Sequence, residues 1–184
     1  MKQIRRNVFE TNSSSTHSIC ISKAPVTVGK YIHFGIGEYG WENDCVDIVD
    51  YLYTAILCMS DSEQLLEKLK DMLDRHSIEY EFEKPKYIGD EENKWLDYGY
   101  IDHSDDTREF IDAVLSDDDM LMRCLFGSSC VYTGNDNSSE RTDMCYCAES
   151  TIYQGEWVND RYLSEEIPNP NHDKTQYDYF FKGN

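Results

Sequence analysis

Apolar residues recur at helical spacing through the middle of the chain and in short or alternating runs toward both ends. The clearest helical period is Leu65, Leu66, Leu69, Met72 and Leu73, with Glu63, Glu67, Lys70, Asp71 and Asp74 on the opposite face and Asp61 or Ser62 at the cap. Val46 to Met59 predicts a helix that gathers Val46, Val49, Tyr53, Ile56 and Leu57 on one face. Two shorter helices follow, over Thr107 to Leu115 and Ser116 to Phe126, the second opening on acidic residues that suit a positive helix N-terminus. Strands are predicted at Gln3–Phe9, Ser18–Ser22, Lys30–Phe34, Ile78–Phe82, Ser129–Thr133, Met144–Ala148, Thr151–Tyr153 and Tyr177–Phe181. Gly35–Gly40 and Gly134–Asn137 read as turns. Strands at both ends with three to four helices between them predict an α+β fold whose mixed or antiparallel sheet contains both terminal regions. No internal repeat or low-complexity linker divides the chain, so a single domain is expected over residues 1–184.

Charge changes this picture from fold to function. The 184 residues carry 36 acidic and 17 basic side chains, a formal net charge of -19, together with 14 tyrosines and three tryptophans. That aromatic content belongs to a folded protein rather than an acidic disordered tail. The first 40 residues are locally basic, with Lys2, Arg5, Arg6, Lys23 and Lys30 against Glu10 and Glu38. Residues 41–184 are strongly acidic, with the runs Asp90-Glu91-Glu92, Asp105-Asp106 and Asp117-Asp118-Asp119. Any one run reads most simply as a solvated face. The aggregate repels itself and destabilises the compact state, which points to a use for it, and the partners it suits are basic surfaces. Bulk coating of nucleic acid or of an anionic membrane is excluded by the same charge. No apolar run approaches the roughly 18 residues that cross a bilayer, and the N-terminus lacks a signal-peptide core, so a soluble cytoplasmic protein is expected.

Between the first two predicted strands lies Glu10-Thr11-Asn12-Ser13-Ser14-Ser15-Thr16-His17-Ser18, a few residues after Arg5 and Arg6. Three readings of this segment stand side by side. Arg5, Arg6 and the groups of Asn12, Ser13, Ser14, Ser15, Thr16 and His17 can form a phosphate or anion site. His17 can activate a neighbouring hydroxyl as a nucleophile, provided that the loop is irregular. Or the hydroxyls simply satisfy backbone groups in a turn.

The wording of RRNVFETNSSSTHSICI, residues 5–21, resembles a signature that opens a group of proteins from phages, prophages and mobile elements of Firmicutes. Val131-Tyr132-Thr133-Gly134-Asn135-Asp136-Asn137 resembles a second motif of that group, which singles out Asn135 and Asp136. The resemblance implies a mobile-element setting, some members being anti-CRISPR inhibitors of Cas9-type effectors. It brings no catalytic residue with it.

Other chemistry is weaker. Cys145-x-Cys147 has a gap too short for one tetrahedral zinc, and no histidine pair completes it. The seven cysteines have no disulfide-framework spacing, and Cys20, Cys58 and Cys124 sit in apolar runs as core thiols. There is no Walker A loop, dinucleotide fingerprint or EF-hand, so neither a metal nor a cofactor is expected. Three functions remain. The first is a stoichiometric counter-defence inhibitor whose carboxylates at Asp90, Glu91, Glu92, Asp105, Asp106, Asp117, Asp118 and Asp119 occupy the basic groove of a Cas9-type effector with its guide RNA. The second adds weak DNA or phosphate contact through Arg5, Arg6 and the hydroxyl loop. The third is a hydrolase or transferase using that loop, with Asp136 brought in if the two motifs lie on neighbouring strands.

Overall fold

The computed structural model describes residues 15–42, 44–89, 95–135, 151–158, 161–170 and 172–182. In chain order its elements are β1 (Ser15–Ser22), β2 (Tyr31–Phe34), β3 (Glu38–Tyr39), β4 (Asp44–Val46), α1 (Ile48–Cys58), α2 (Ser62–Arg75), β5 (Glu79–Phe82), β6 (Lys86–Ile88), β7 (Trp95–Asp97) and β8 (Tyr100–Ile101). A 3-10 turn, Ser104–Thr107, leads into α3 (Arg108–Ser116) and α4 (Asp118–Phe126), followed by β9 (Cys130–Asn135), β10 (Thr151–Val158), β11 (Arg161–Pro168) and β12 (Tyr177–Lys182). The fold is α+β.

The main sheet has the order β12-β1-β9-β4, every neighbour antiparallel. Both terminal regions therefore meet in one sheet. β1 and β9 are its two inner strands, and β1 pairs His17 with Lys182 on one side and with Thr133 on the other. Two short parallel pairs, β2 with β5 and β3 with β8, and two antiparallel pairs, β6 with β7 and β10 with β11, complete the strand pattern.

Ile19 and Ile21 of β1 and Val131 of β9 join the fully buried Tyr51, Leu52, Ile56, Leu69, Leu73, Phe110, Ile111 and Leu121 of the four helices in one apolar cluster. Each such aliphatic or aromatic side chain contributes about 1.5–3 kcal/mol on burial. In α2 and α3 the predicted face is the buried one: Leu65, Leu69, Met72 and Leu73, with Leu66 half-buried, and Phe110, Ile111, Val114 and Leu115. The face predicted for α1 is corrected: Val46 belongs to β4, Val49 and Leu57 are half-buried, and Ile48, Tyr51, Leu52 and Ala55 join Tyr53 and Ile56 in the core. Caps differ in kind. Asp47 and Asp117 each accept two backbone N–H groups at the starts of α1 and α4. Asp61 stands at the N-cap of α2 without a side-chain cap bond, because its carboxylate instead accepts from Arg108 Nη1 at 2.9 Å.

The loop expected over Asn12–His17 is corrected for its described part. Ser15, Thr16 and His17 are strand residues, the first three of β1, because cross-strand partners on both sides outweigh the turn preference of serine and threonine. Likewise Gly134 and Asn135 extend β9 rather than opening a turn. The predicted strands Gln3–Phe9 and Met144–Ala148 lie outside the described residues, as do Asp136 and Asn137. β11 and the greater length of β10 were not predicted: RYLSEEIP alternates poorly and ends on proline.

Candidate functional site

Three adjacent strands of the main sheet, β12, β1 and β9, bring together the most unusual chemistry among the described residues. In their register Ser15 lies opposite Asn135 and His17 opposite Lys182. Strand alternation turns Ser15, His17, Ile19 and Ile21 to one face, so the two polar residues continue the row of core isoleucines. Lys182 is only 1 % exposed and Ser15 equally so. Such burial of a lysine requires partners. Lys182 Nζ donates to the Ser15 carbonyl at 2.9 Å and contacts Ser15 Oγ. The Ser15 hydroxyl is also hydrogen-bonded to Asp102, whose carboxylate accepts from the Tyr100 hydroxyl.

Asp102 reaches this centre from the segment after β8, which Gly99 makes possible. Gly99 has φ +71, and a side chain there would collide with the Gly37 carbonyl and Ile36. Tyr100 N then donates to Gly37 O at 3.0 Å and Asp102 N to Tyr39 O at 3.0 Å.

His17 is 0 % exposed, with Nε2 2.8 Å from the Gly40 carbonyl and Nδ1 2.7 Å from the Tyr51 hydroxyl. A carbonyl only accepts, so Nε2 carries the proton, and Nδ1 of the neutral ring accepts from Tyr51. Burial, with help from the neighbouring Lys182 charge, depresses the His17 imidazole to about 4. Burial likewise lowers the Lys182 ammonium to about 8, against the opposing pull of Asp102 and Asp106. For Asp102 burial works upward, but hydrogen bonds from Tyr100 and Ser15 and the charges of Lys182 and His103 outweigh it and hold the carboxyl below its usual range. The centre is a closed chain: lysine to serine to carboxylate, above a neutral histidine.

No protein-family model, curated protein or solved structure matches the chain significantly. The site is therefore read from its own geometry.

The structure brings the described parts of the two motifs together. Ser15, Thr16 and His17 lie directly across from Asn135, Gly134 and Thr133. Arg5, Arg6, Asn12, Ser13, Ser14 and Asp136 lie outside the described residues. An anion that engaged Ser15 or His17 would have to displace Lys182, Tyr51 or Gly40 from bonds already made. Lys182, Asp102 and Tyr51 escaped the sequence reading. For Lys182 a signal existed: in Tyr177–Lys182 the period of two that places Phe180 beside Ile19 also places Lys182 beside His17.

The acidic candidates divide. Asp117 caps α4, Asp118 pairs with Arg75 at 2.6 Å and lies 3.4 Å from His76, and Asp119 pairs with Arg123 at 2.8 Å. Arg123, 8 % exposed, also donates to Asp178 and to the Ser22 carbonyl, so this aspartate run serves the fold. Asp105 and Asp106 are exposed in the 3-10 turn. Asp90, Glu91 and Glu92 lie outside the described residues, in the sequence between β6 and β7. Those two flanking strands pair Ile88 with Trp95 and Tyr87 with Leu96. They leave Tyr87 70 %, Trp95 55 % and Ile88 40 % exposed.

Among the described residues no group of three or more histidines, cysteines or carboxylates is arranged to hold a metal ion, and no helix is long and apolar enough to cross a membrane.

Proposed function

We propose that the protein is a stoichiometric binder of a basic, nucleic-acid-handling protein and docks through the β6–β7 ribbon. The observation that carries this reading is the exposure of Tyr87, Ile88 and Trp95 on two strands whose connecting sequence reads Asp90-Glu91-Glu92. Exposed tyrosine and tryptophan are the side chains that dominate interface energetics, and both take an arginine or lysine against the ring face. The carboxylates next to them in sequence supply attraction to a groove built for phosphates and set a fast, salt-dependent association. With a net charge of -19 the rest of the surface favours the same class of partner. The resemblance of the N-terminal motif narrows the partner to a Cas9-type effector, with the protein acting for a phage or mobile element.

The experiment is a pulldown of Cas9, with and without guide RNA, across a salt series, by the wild type and by Tyr87→Ser/Trp95→Ser. Binding by the wild type, weakened at least about tenfold in the double variant with unchanged thermal unfolding, is expected. Absence of a complex at low salt overturns the Cas9 assignment. Equal binding by both proteins overturns the docking surface.

One observation favours a second reading. Ser15 Oγ touches a buried lysine and a carboxylate, the surroundings of an activated hydroxyl. The enzyme reading then rests on Lys182 and Asp102 rather than on His17, whose ring nitrogens are both engaged. Labelling of Ser15 by a fluorophosphonate probe, lost in Lys182→Met, would support it. No labelling of the folded wild type would remove it.

A further inference from the structure

On the face of β1 opposite the isoleucines, Cys20 lies directly across from Cys130 of β9. Directly opposed residues of an antiparallel pair have Cα atoms about 4.5–5.5 Å apart, within the span that a disulfide bridges. The two thiols already share a hydrogen bond. Their exposures differ: Cys20 is 3 % exposed, whereas Cys130 is half-buried and reachable from solvent. Cys130 also receives a hydrogen bond from the Tyr132 hydroxyl. The hydrogen bond from Cys20, reinforced by the one from Tyr132, lowers the Cys130 thiol against the upward push of burial, which favours its thiolate over that of an ordinary cysteine.

We infer that Cys20 and Cys130 form a reversible cross-strand disulfide, with Cys130 as the attacking thiol and Cys20 as the resolving one. The oxidant is a small-molecule disulfide such as glutathione disulfide. Cys130 thiolate attacks one sulfur of it, forming a Cys130–glutathione bond as the glutathione disulfide bond breaks and one glutathione thiolate leaves. Cys20 then attacks the Cys130 sulfur and expels the second glutathione. The two protons lost by the cysteines end on the two glutathione thiols, and two electrons pass from the protein to the oxidant. The bond would clamp β1 to β9 five residues from the Ser15–Asn135 pair, fixing together the strands that carry both motifs. Cys45 is one competitor among the described residues: it lies opposite Tyr132 on β4, the strand beyond β9.

The test equilibrates the fully reduced full-length protein in a series of glutathione and glutathione disulfide mixtures, alkylates the remaining thiols and maps the linked peptides. Expected is a single Cys20–Cys130 linkage, a fall from seven free thiols to five, and an upward shift of the urea midpoint in the oxidised sample. Cys130→Ser should lose the linkage and the shift, and Cys45→Ser should keep both. Failure to form the bond anywhere in the series, arrest at glutathionylated Cys130, or pairing of Cys130 with Cys45, Cys145 or Cys147 would each overturn the inference. Because mapping is done on the wild type, the outcome does not depend on any variant folding.

Discussion

His17 ties the stability of the fold to pH in a way that can be computed from its surroundings. In the folded state the imidazole is held down to about 4, against 6.5 for a free imidazole, because burial and the Lys182 charge both oppose its protonation. The unfolded chain therefore binds more protons than the native one between these two values, and native stability falls as pH drops through that window. By linkage the loss attributable to this one side chain is about 2 kcal/mol at pH 5 and about 3 kcal/mol at pH 4, relative to pH 8. Against a total of about 5–15 kcal/mol for an ordinary domain, a term of this size is readily measured.

The assay is urea unfolding, followed by tryptophan fluorescence, at closely spaced pH values from 8 to 4, for the wild type and His17→Gln. Glutamine can donate to the Gly40 carbonyl but does not titrate. Protonation of the many carboxylates also relieves self-repulsion in a chain of net charge -19, but it does so equally in both proteins. The difference between the two stability curves isolates the histidine, and it should shrink as pH falls from 6.5 toward 4. Parallel curves would refute the reasoning, and so would a resonance assigned to the His17 imidazole of the folded protein that titrates near 6.5.

Lys182→Met removes the donor to the Ser15 carbonyl and the cation facing Asp102 and should cost about 3 kcal/mol by urea unfolding. The same variant should move the His17 titration upward by NMR, since the lysine charge helps to depress it. Asp117→Ala should lower stability by about 1 kcal/mol through loss of the two cap bonds at α4, leaving partner binding unchanged in the pulldown. Gly99→Ala should destabilise by about 1–3 kcal/mol in a thermal melt, because φ +71 and the nearby Gly37 carbonyl leave no place for a methyl group.

How far the sequence reveals this molecule depends on whether the cause is local. The helical faces of α2 and α3 were legible because their apolar residues repeat every three to four positions and nothing in the tertiary structure opposes that period. The meeting of the termini was legible from strand order alone. The character of Ser15–His17 was not: a run of serines and a threonine has the composition of a turn, and only pairing on both flanks makes it a buried strand. The pairs β3 with β8 and β6 with β7 are two or three residues long, too short to show any period. Asp102 came into the centre through a glycine with positive φ and a neighbour at residue 37, a contact that no spacing in the sequence announces.

The distribution of counter-charges decides where a basic partner gains most. A carboxylate already held by an internal arginine offers an incoming cation only a share of its charge, and surrendering the internal bond offsets what the new one contributes. Asp119 and Asp178 are committed to Arg123, Asp118 to Arg75, and Asp61 and Asp112 to Arg108. Reversing the charges of Asp117, Asp118 and Asp119 together would therefore break a helix cap and two ion pairs before it tested any partner. Weaker binding by such a variant would be ambiguous, whereas Tyr87 and Trp95 are exposed and can be replaced with little consequence for the core. Net charge selects the class of partner at long range, and the aromatic ribbon, next in sequence to Asp90, Glu91 and Glu92, is where short-range energy can be gained without dismantling the fold.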